Sequence, residues 1–184
     1  MFDLVVIGGG AAGFFGAIQV AEMNPQLRIL ILEKSTKILS KVRVSGGGRC
    51  NVTHHCFNPN ELAHHYPRGE KQLKSLFKTY QAKDVVKWFA LHGVKLKTEE
   101  DGRMFPVSDS SETIIDCFLK LIKQFNVKVE MANGVNKIIP VAGGFELQCD
   151  KGKVQTRKLL VTIGGHPNTK AYELIRELGQ TIIS

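Results

Sequence analysis

The opening of the chain constrains its fold most: an apolar strand, Asp3 to Ile7, runs directly into Gly8, Gly9, Gly10, Ala11, Ala12 and Gly13. Val5, Val6 and Ile7 form the continuous apolar run of a strand covered on both faces. Beyond Gly13, Phe14, Ala17, Ile18 and Ala21 recur at helical spacing, and Asn24-Pro25 stops that helix. Leu27 to Leu32 is a second buried strand, closed by Glu33, twenty residues after Gly13. Glycine accounts for 18 of 184 residues, so the spacing Gly8-x-Gly10-x-x-Gly13 has little weight alone. Strand, glycines, helix, strand and acid in that order make it a dinucleotide-binding fingerprint.

Each position has a physical task. Gly8 permits a tight turn, Gly10 lets a pyrophosphate approach the backbone, and Gly13 lets the helix lie close to the sheet. The unpaired N–H groups and dipole of the helix N-terminus favour an anion. The Glu33 carboxylate can accept hydrogen bonds from an adenosine ribose.

Length and composition suit one globular domain spanning residues 1–184, with 43% hydrophobic and 23% charged residues. No apolar run approaches the roughly 18 to 20 residues that span a bilayer, so no membrane association is expected. The chain opens on a strand, with no basic segment leading into an apolar stretch, which sets the cytoplasm as the expected location. Cys50, Cys56, Cys117 and Cys149 are scattered, as reduced thiols in an α/β domain would be. Cys50, His54, His55, Cys56, His64 and His65 are ligand types without the paired spacing of a zinc site, so no metal is expected. The formal charge of +8 lies largely along helix faces, at Lys71, Lys74 and Lys78, Lys83 and Lys87, and Lys120 and Lys123. Without interleaved aromatics, these read as solvated faces and disfavour nucleic acid as the partner.

Residues 35 to 53 read as a loop rich in glycine, hydroxyls and cations, suited to a ligand. Helical spacing follows over 70 to 80 and 82 to 92, then a short strand at Val94 to Lys97. Ser110 or Ser111 caps a helix carrying Ile114, Ile115, Phe118, Leu119 and Ile122, and Val127, Val129 and Met131 suggest a strand. Val135 to Val154 reads as a β-meander turning at Gly143-Gly144, followed by a separate buried strand from Arg157 that breaks at Gly164-Gly165. A last amphipathic helix covers Ala171 to Leu178.

This order resembles the glutathione-reductase-like two-dinucleotide-binding flavoproteins, which implies an α/β, Rossmann-like FAD-binding domain with a central parallel sheet, helices and a β-meander. Within them, Ser45-Gly46-Gly47-Gly48-Arg49-Cys50-Asn51-Val52-Thr53 and Gly102-Arg103-Met104-Phe105-Pro106-Val107-Ser108 look like the signatures of the HI0933-like flavoproteins. The resemblance covers nearly the whole chain. It implies an FAD-dependent oxidoreductase working by hydride transfer through the flavin, with NAD(P)H as electron donor and a small-molecule substrate.

Carried onto this sequence, the resemblance sets Gly8, Gly10, Ala11, Ala12 and Gly13 against the FAD pyrophosphate and Glu33 with Lys34 at the adenosine ribose. Ser45, Gly46, Gly47, Gly48, Arg49, Cys50 and Asn51 match the loop along the flavin, where Arg49 could meet a phosphate or substrate anion. Val135 matches a backbone contact to adenine. Thr162, Gly164 and Gly165 match the turn that closes on the cofactor, although Thr-Ile-Gly-Gly stands where Ala-Thr-Gly-Gly is usual. Lys41, Arg43 and His54 are candidate phosphate or substrate contacts. Cys50 beside Arg49 is a candidate low-pKa redox thiol, its alternative being a small residue packed in a tight loop. No residue is assigned as catalytic acid or base. Family members run considerably longer, so the chain looks like an N-terminal portion lacking the substrate domain and the segment that completes the flavin site. The rival readings are an NAD-binding dehydrogenase domain, a tRNA-modifying flavoprotein and a non-catalytic nucleotide-binding module.

Overall fold

The computed structural model describes residues 1–165 and 172–183. In chain order its elements are β1 (Phe2–Ile7), α1 (Ala11–Met23), β2 (Ile29–Leu32), α2 (Ser40–Val44), a single tight turn at Ser45–Gly48, β3 (Thr53–His54), α3 (Pro59–His64), α4 (Glu70–Thr79) and α5 (Ala82–Leu91). They continue as β4 (Leu96–Thr98), β5 (Arg103–Pro106), α6 (Ser111–Gln124), β6 (Lys128–Glu130), β7 (Val135–Val141), β8 (Gly144–Cys149), β9 (Gly152–Val161) and α7 (Glu173–Arg176). The sequence reading drew no boundary inside the chain. The structure divides it into two compact units, Met1–Lys41 with Phe118–Ser184, and Val42–Cys117.

The first unit holds a six-stranded sheet in the order β6-β2-β1-β9-β8-β7. The strands β6, β2, β1 and β9 run parallel, while β9, β8 and β7 form an antiparallel meander. Register sets Val5 beside Leu30 on one side and Leu159 on the other. Flanked on both edges and covered on both faces, the interior of β1 admits only apolar side chains, and Val5 and Val6 are wholly buried. One face packs Val5, Ile7, Leu30 and Leu32 with Ile138 and Leu147 of the meander. Phe14 and Ile18 of α1 are fully buried, with the Phe14 ring 6.1 Å from that of Phe118.

β9 is one strand where the sequence suggested a meander tail and a separate buried strand. Its first half, Gly152 to Thr156, pairs antiparallel with β8, and its second half, Thr156 to Val161, pairs parallel with β1. The change from polar alternation to an apolar run along it records that change of surroundings. In α6, Leu119, read as part of the apolar face, is 37% exposed, and Leu121, which that reading left out, is buried. Residues Ile114, Phe118, Leu121 and Ile122 keep the i, i+4, i+7, i+8 stripe, and Leu119 lies outside it. Of the expected final helix, Ala171 lies outside the described residues, and the helix itself runs only over Glu173–Arg176.

The second unit is built on a three-stranded antiparallel sheet in the order β3-β5-β4, with Met104 and Phe105 of β5 buried. Residues 35 to 53, read as loop, contain α2, the Ser45–Gly48 turn and the start of β3. The polar Asn58-Pro59-Asn60 stretch is a helix start: Asn58 Oδ1 accepts from the N–H groups of Asn60 and Glu61, and Pro59 occupies the first helical position.

Candidate dinucleotide site

The fingerprint turn is fixed by contacts that its small residues alone permit. Gly8 has φ +110°, and a Cβ there would stand 2.5 Å from the carbonyl oxygen of Thr162. A Cβ on Gly13 would stand 2.0 Å from the Gly8 carbonyl oxygen. Gly10 differs: its φ of −92° suits any residue, and among the described residues nothing lies within 4 Å of the Cβ it lacks. Among the described residues neither backbone geometry nor packing requires glycine at position 10, and the space beside it is open. Gly10 is also the N-cap of α1, which has no side-chain cap and no acidic residue in its first turn. The N–H groups of Ala11, Ala12 and Gly13 at that end form an uncapped positive pole.

Glu33 at the end of β2 faces this turn. Its Oε2 accepts the Gly9 N–H at 2.8 Å and its Oε1 the Ser35 N–H at 2.8 Å. A carboxylate offers about four acceptor sites, so capacity remains for a ligand hydroxyl. Beside it lies a cleft of about 400 Å³ with Ile7, Leu32, Val135 and Ile163 as apolar wall and Glu33, Lys34, Asn136 and Asp150 as polar groups. The structure thus brings Gly8, Glu33, Lys34 and Val135 to one cleft.

Thr162 is bound into the same turn. Its N–H donates to Ile7 O at 2.8 Å, and its hydroxyl reaches Ile7 O at 3.0 Å and Gly8 O at 3.1 Å. Lys41 Nζ donates to Gly165 O at 3.2 Å and stands 3.7 Å from where a Cβ on Gly164 would lie. The cleft also contains residues that sequence reasoning missed. Asp150 takes the Gly134 N–H at 2.7 Å and the Asn136 side-chain amide at 2.8 Å, which together hold its carboxyl below the usual range. Asp150 and Lys151 fall inside the stretch read as a β-meander, with no role assigned to them there; their partners lie 14 to 20 residues away.

In the second unit, Gly46, Gly47 and Gly48 have φ of 56°, 68° and 86°, and Cys50 follows at 62°. A Cβ on Gly46 would lie 2.7 Å from the Phe105 ring and 2.8 Å from the Asn51 N–H nitrogen, so the two motifs of the resemblance pack on each other. The Ser45 hydroxyl donates to Val42 O at 2.9 Å, and Ser45 O receives the Cys50 N–H. Arg49 pairs with Glu99, lies 3.6 Å from Asp109 and stacks over Phe105 at 4.0 Å. Hydrogen bonding to Glu99 holds its guanidinium in the charged form. Arg43 pairs with Glu112, and His54 Nε2 meets Asp101 O at 3.0 Å. Of the two alternatives for Cys50, the structure agrees with the residue packed in a tight loop and not with the low-pKa thiol. Its burial pushes the thiol up, only partly offset by a hydrogen bond with Ser45, and the Arg49 charge is engaged elsewhere. Among the described residues no three His, Cys, Asp or Glu side chains gather as metal ligands, and no helix is long and apolar enough to cross a membrane.

A parallel sheet with a glycine turn, an uncapped helix and an acid-walled cleft at its carboxyl edge is the architecture of a Rossmann-type domain. The chain belongs to the HI0933-like protein Rossmann domain family, which it matches over residues 2–184. It is 24% identical over 183 residues to a 3-dehydro-bile acid delta(4,6)-reductase of Clostridium scindens, covering 96% of this chain and 44% of that one. To a ribosomal RNA dihydrouridine synthase of Escherichia coli it is 28% identical over 164 residues, covering 89% and 40%. It thus spans less than half the length of these curated relatives. Among solved structures, the 3-ketosteroid-delta4-(5alpha)-dehydrogenase of Rhodococcus jostii RHA1 superposes with a TM-score of 0.65 at 15% identity, over 94% of this chain and 48% of that one, a likeness of fold.

Proposed function

We propose that this chain is the FAD-binding domain of a flavin-dependent oxidoreductase. The observation that carries this reading is Gly10, whose missing side chain serves no contact among the described residues and stands at the uncapped N-terminus of α1. Gly8, Gly10, Ala11, Ala12 and Gly13 would hold the pyrophosphate, Glu33 and Lys34 the adenosine ribose, and Val135 the adenine. Thr162, Gly164 and Gly165 close the turn behind them. When bound, FAD supplies hydride acceptance and donation at its isoalloxazine ring, while the protein supplies binding and orientation. Reduction, the activity in the Clostridium relative's name, needs a hydride source. NAD(P)H is the donor class proposed, with a small organic molecule as substrate.

Flavin titration tests the cofactor assignment. Wild-type chain should quench added FAD fluorescence to saturation, and Gly10→Ala should bind at least about tenfold more weakly while its melting temperature stays unchanged. Equal affinities would remove Gly10 from the site.

A second reading has its own support: the Escherichia coli relative's name specifies an RNA substrate, and this chain carries a net charge of +8. An RNA-acting flavoprotein would retain ribosomal RNA fragments with a steep loss on raising salt. Salt-insensitive or absent retention would leave the small-molecule reading.

A further inference from the structure

β7 leaves its ladder at Asn136. Val135 pairs with Cys149 and Lys137 with Gln148, so the register slips between them and Asn136 is the extra residue of a β-bulge. A bulge takes one residue out of the pairing and re-aims its side chain. Here the Asn136 amide donates to Asp150 Oδ1 at 2.8 Å, while Asp150 Oδ2 accepts the Gly134 N–H at 2.7 Å. One carboxylate therefore grips the chain on both sides of Val135. Room for this exists because residue 134 is glycine: a Cβ there would stand 2.9 Å from Asp150 Oδ2 and 3.2 Å from Lys34 Cβ. The clamp is anchored in turn by Asn133, 2% exposed, which receives the Lys151 N–H at 3.0 Å and donates to Glu130 at 2.7 Å.

Resting on the FAD reading above, we propose that Asp150 is a positioning residue for base recognition, holding the Gly134–Asn136 main chain so that the cleft accepts adenine and refuses guanine. The chemistry of the two bases makes such a device effective. Adenine presents an exocyclic amine where guanine presents a carbonyl. Gly134 has its N–H and its C=O both engaged by Asp150 and Val135 keeps its pairing with Cys149, so the main-chain groups that the bulge takes out of the ladder are those of Asn136, in a fixed order that matches one pattern and opposes the other. The mismatched base leaves buried polar groups unpaired, the arrangement that gives strong discrimination. Discrimination of this kind requires the backbone to be held, and the Asp150 carboxylate adds two bonds to the single main-chain bond from the Asp150 N–H to Gly134 O.

Calorimetric titration of the chain with ADP and with GDP tests this in wild type, Asp150→Asn and Asn136→Ala. An amide at position 150 turns its NH₂ toward one of the two donors and opens the clamp at unchanged volume. Wild type should prefer ADP by at least about tenfold. Asp150→Asn should bring the two affinities within about threefold, through loss of ADP affinity with GDP binding little changed. A folded Asp150→Asn that keeps the wild-type preference would overturn the proposal. If that variant does not fold, Asn136→Ala decides, because it leaves the Asp150–Gly134 bond in place: a reduced preference supports the clamp and an undiminished one overturns it. Wild type binding both nucleotides equally would overturn base selection and leave the FAD reading standing. Wild type that binds neither nucleotide yet quenches FAD would overturn base selection at this clamp alone, and wild type that binds neither and leaves FAD unquenched would overturn the FAD reading, and the proposal with it.

Discussion

Gly8, Gly10 and Gly13 share a motif and differ in cause. Gly13 is demanded by the protein, since a Cβ 2.0 Å from the Gly8 carbonyl oxygen would have only backbone to displace. Gly13→Ala should therefore lose about 2 to 3 kcal/mol of stability by overpacking, read as a fall in denaturation midpoint with or without ligand. Thr162 is the counterpart that the motif did not reveal. Its hydroxyl ties the end of β9 to the carbonyls of Ile7 and Gly8. Thr162→Val keeps the shape and removes that bond, so it should cost about 1 kcal/mol in chemical denaturation. For Cys50 the neighbouring Arg49 suggested an activated thiol, yet burial and the Glu99 pairing set the outcome, and neither is visible in adjacent letters. A thiol-reactive probe at neutral pH should modify Cys50 more slowly than a free cysteine, and reaction at the free rate would contradict its burial.

At the scale of elements, the first strand-helix-strand unit was legible almost residue by residue because local periodicity and burial coincide there. β9 was not, because its two halves answer to different neighbours, β8 and β1, that only the folded sheet supplies. The Ser45–Asn51 loop was legible as a motif, while the reason for Gly46 lies in Phe105, about sixty residues on. The clamp at Asp150 had no sequence signal beyond turn-forming residues. Where β1, β2 and β9 begin to run together, Asp3 accepts the Arg28 N–H at 2.9 Å and lies 3.5 Å from the Arg28 guanidinium and 3.4 Å from that of Arg157. The backbone hydrogen bond from Arg28, then the charges of Arg28 and Arg157, hold its carboxyl below the ordinary value of 3.8. Its contribution to stability is thus complete above that value and lost as pH falls through the lower folded value. Asp3→Asn should melt earlier than wild type near pH 7 and lose less on acidification to about pH 2.5. Parallel acid limbs for the two proteins would contradict this.

On the scale of the whole chain, the α/β class and the parallel sheet with its meander were accessible to pattern, since both follow from where apolar runs and turns fall. The division into two compact units was not, because no change of composition marks Lys41 or Phe118. What joins the levels is the proposed cofactor site, for which Gly8, Glu33 and Val135, far apart in sequence, line one cleft of the first unit. The direct test is the nucleotide that accompanies the protein. The product of the full reading frame containing this sequence should purify yellow and release FAD on denaturation, identified by chromatography and by its visible spectrum. A colourless product that releases only NAD(P), and stays colourless after incubation with FAD and removal of the excess, would contradict the assignment.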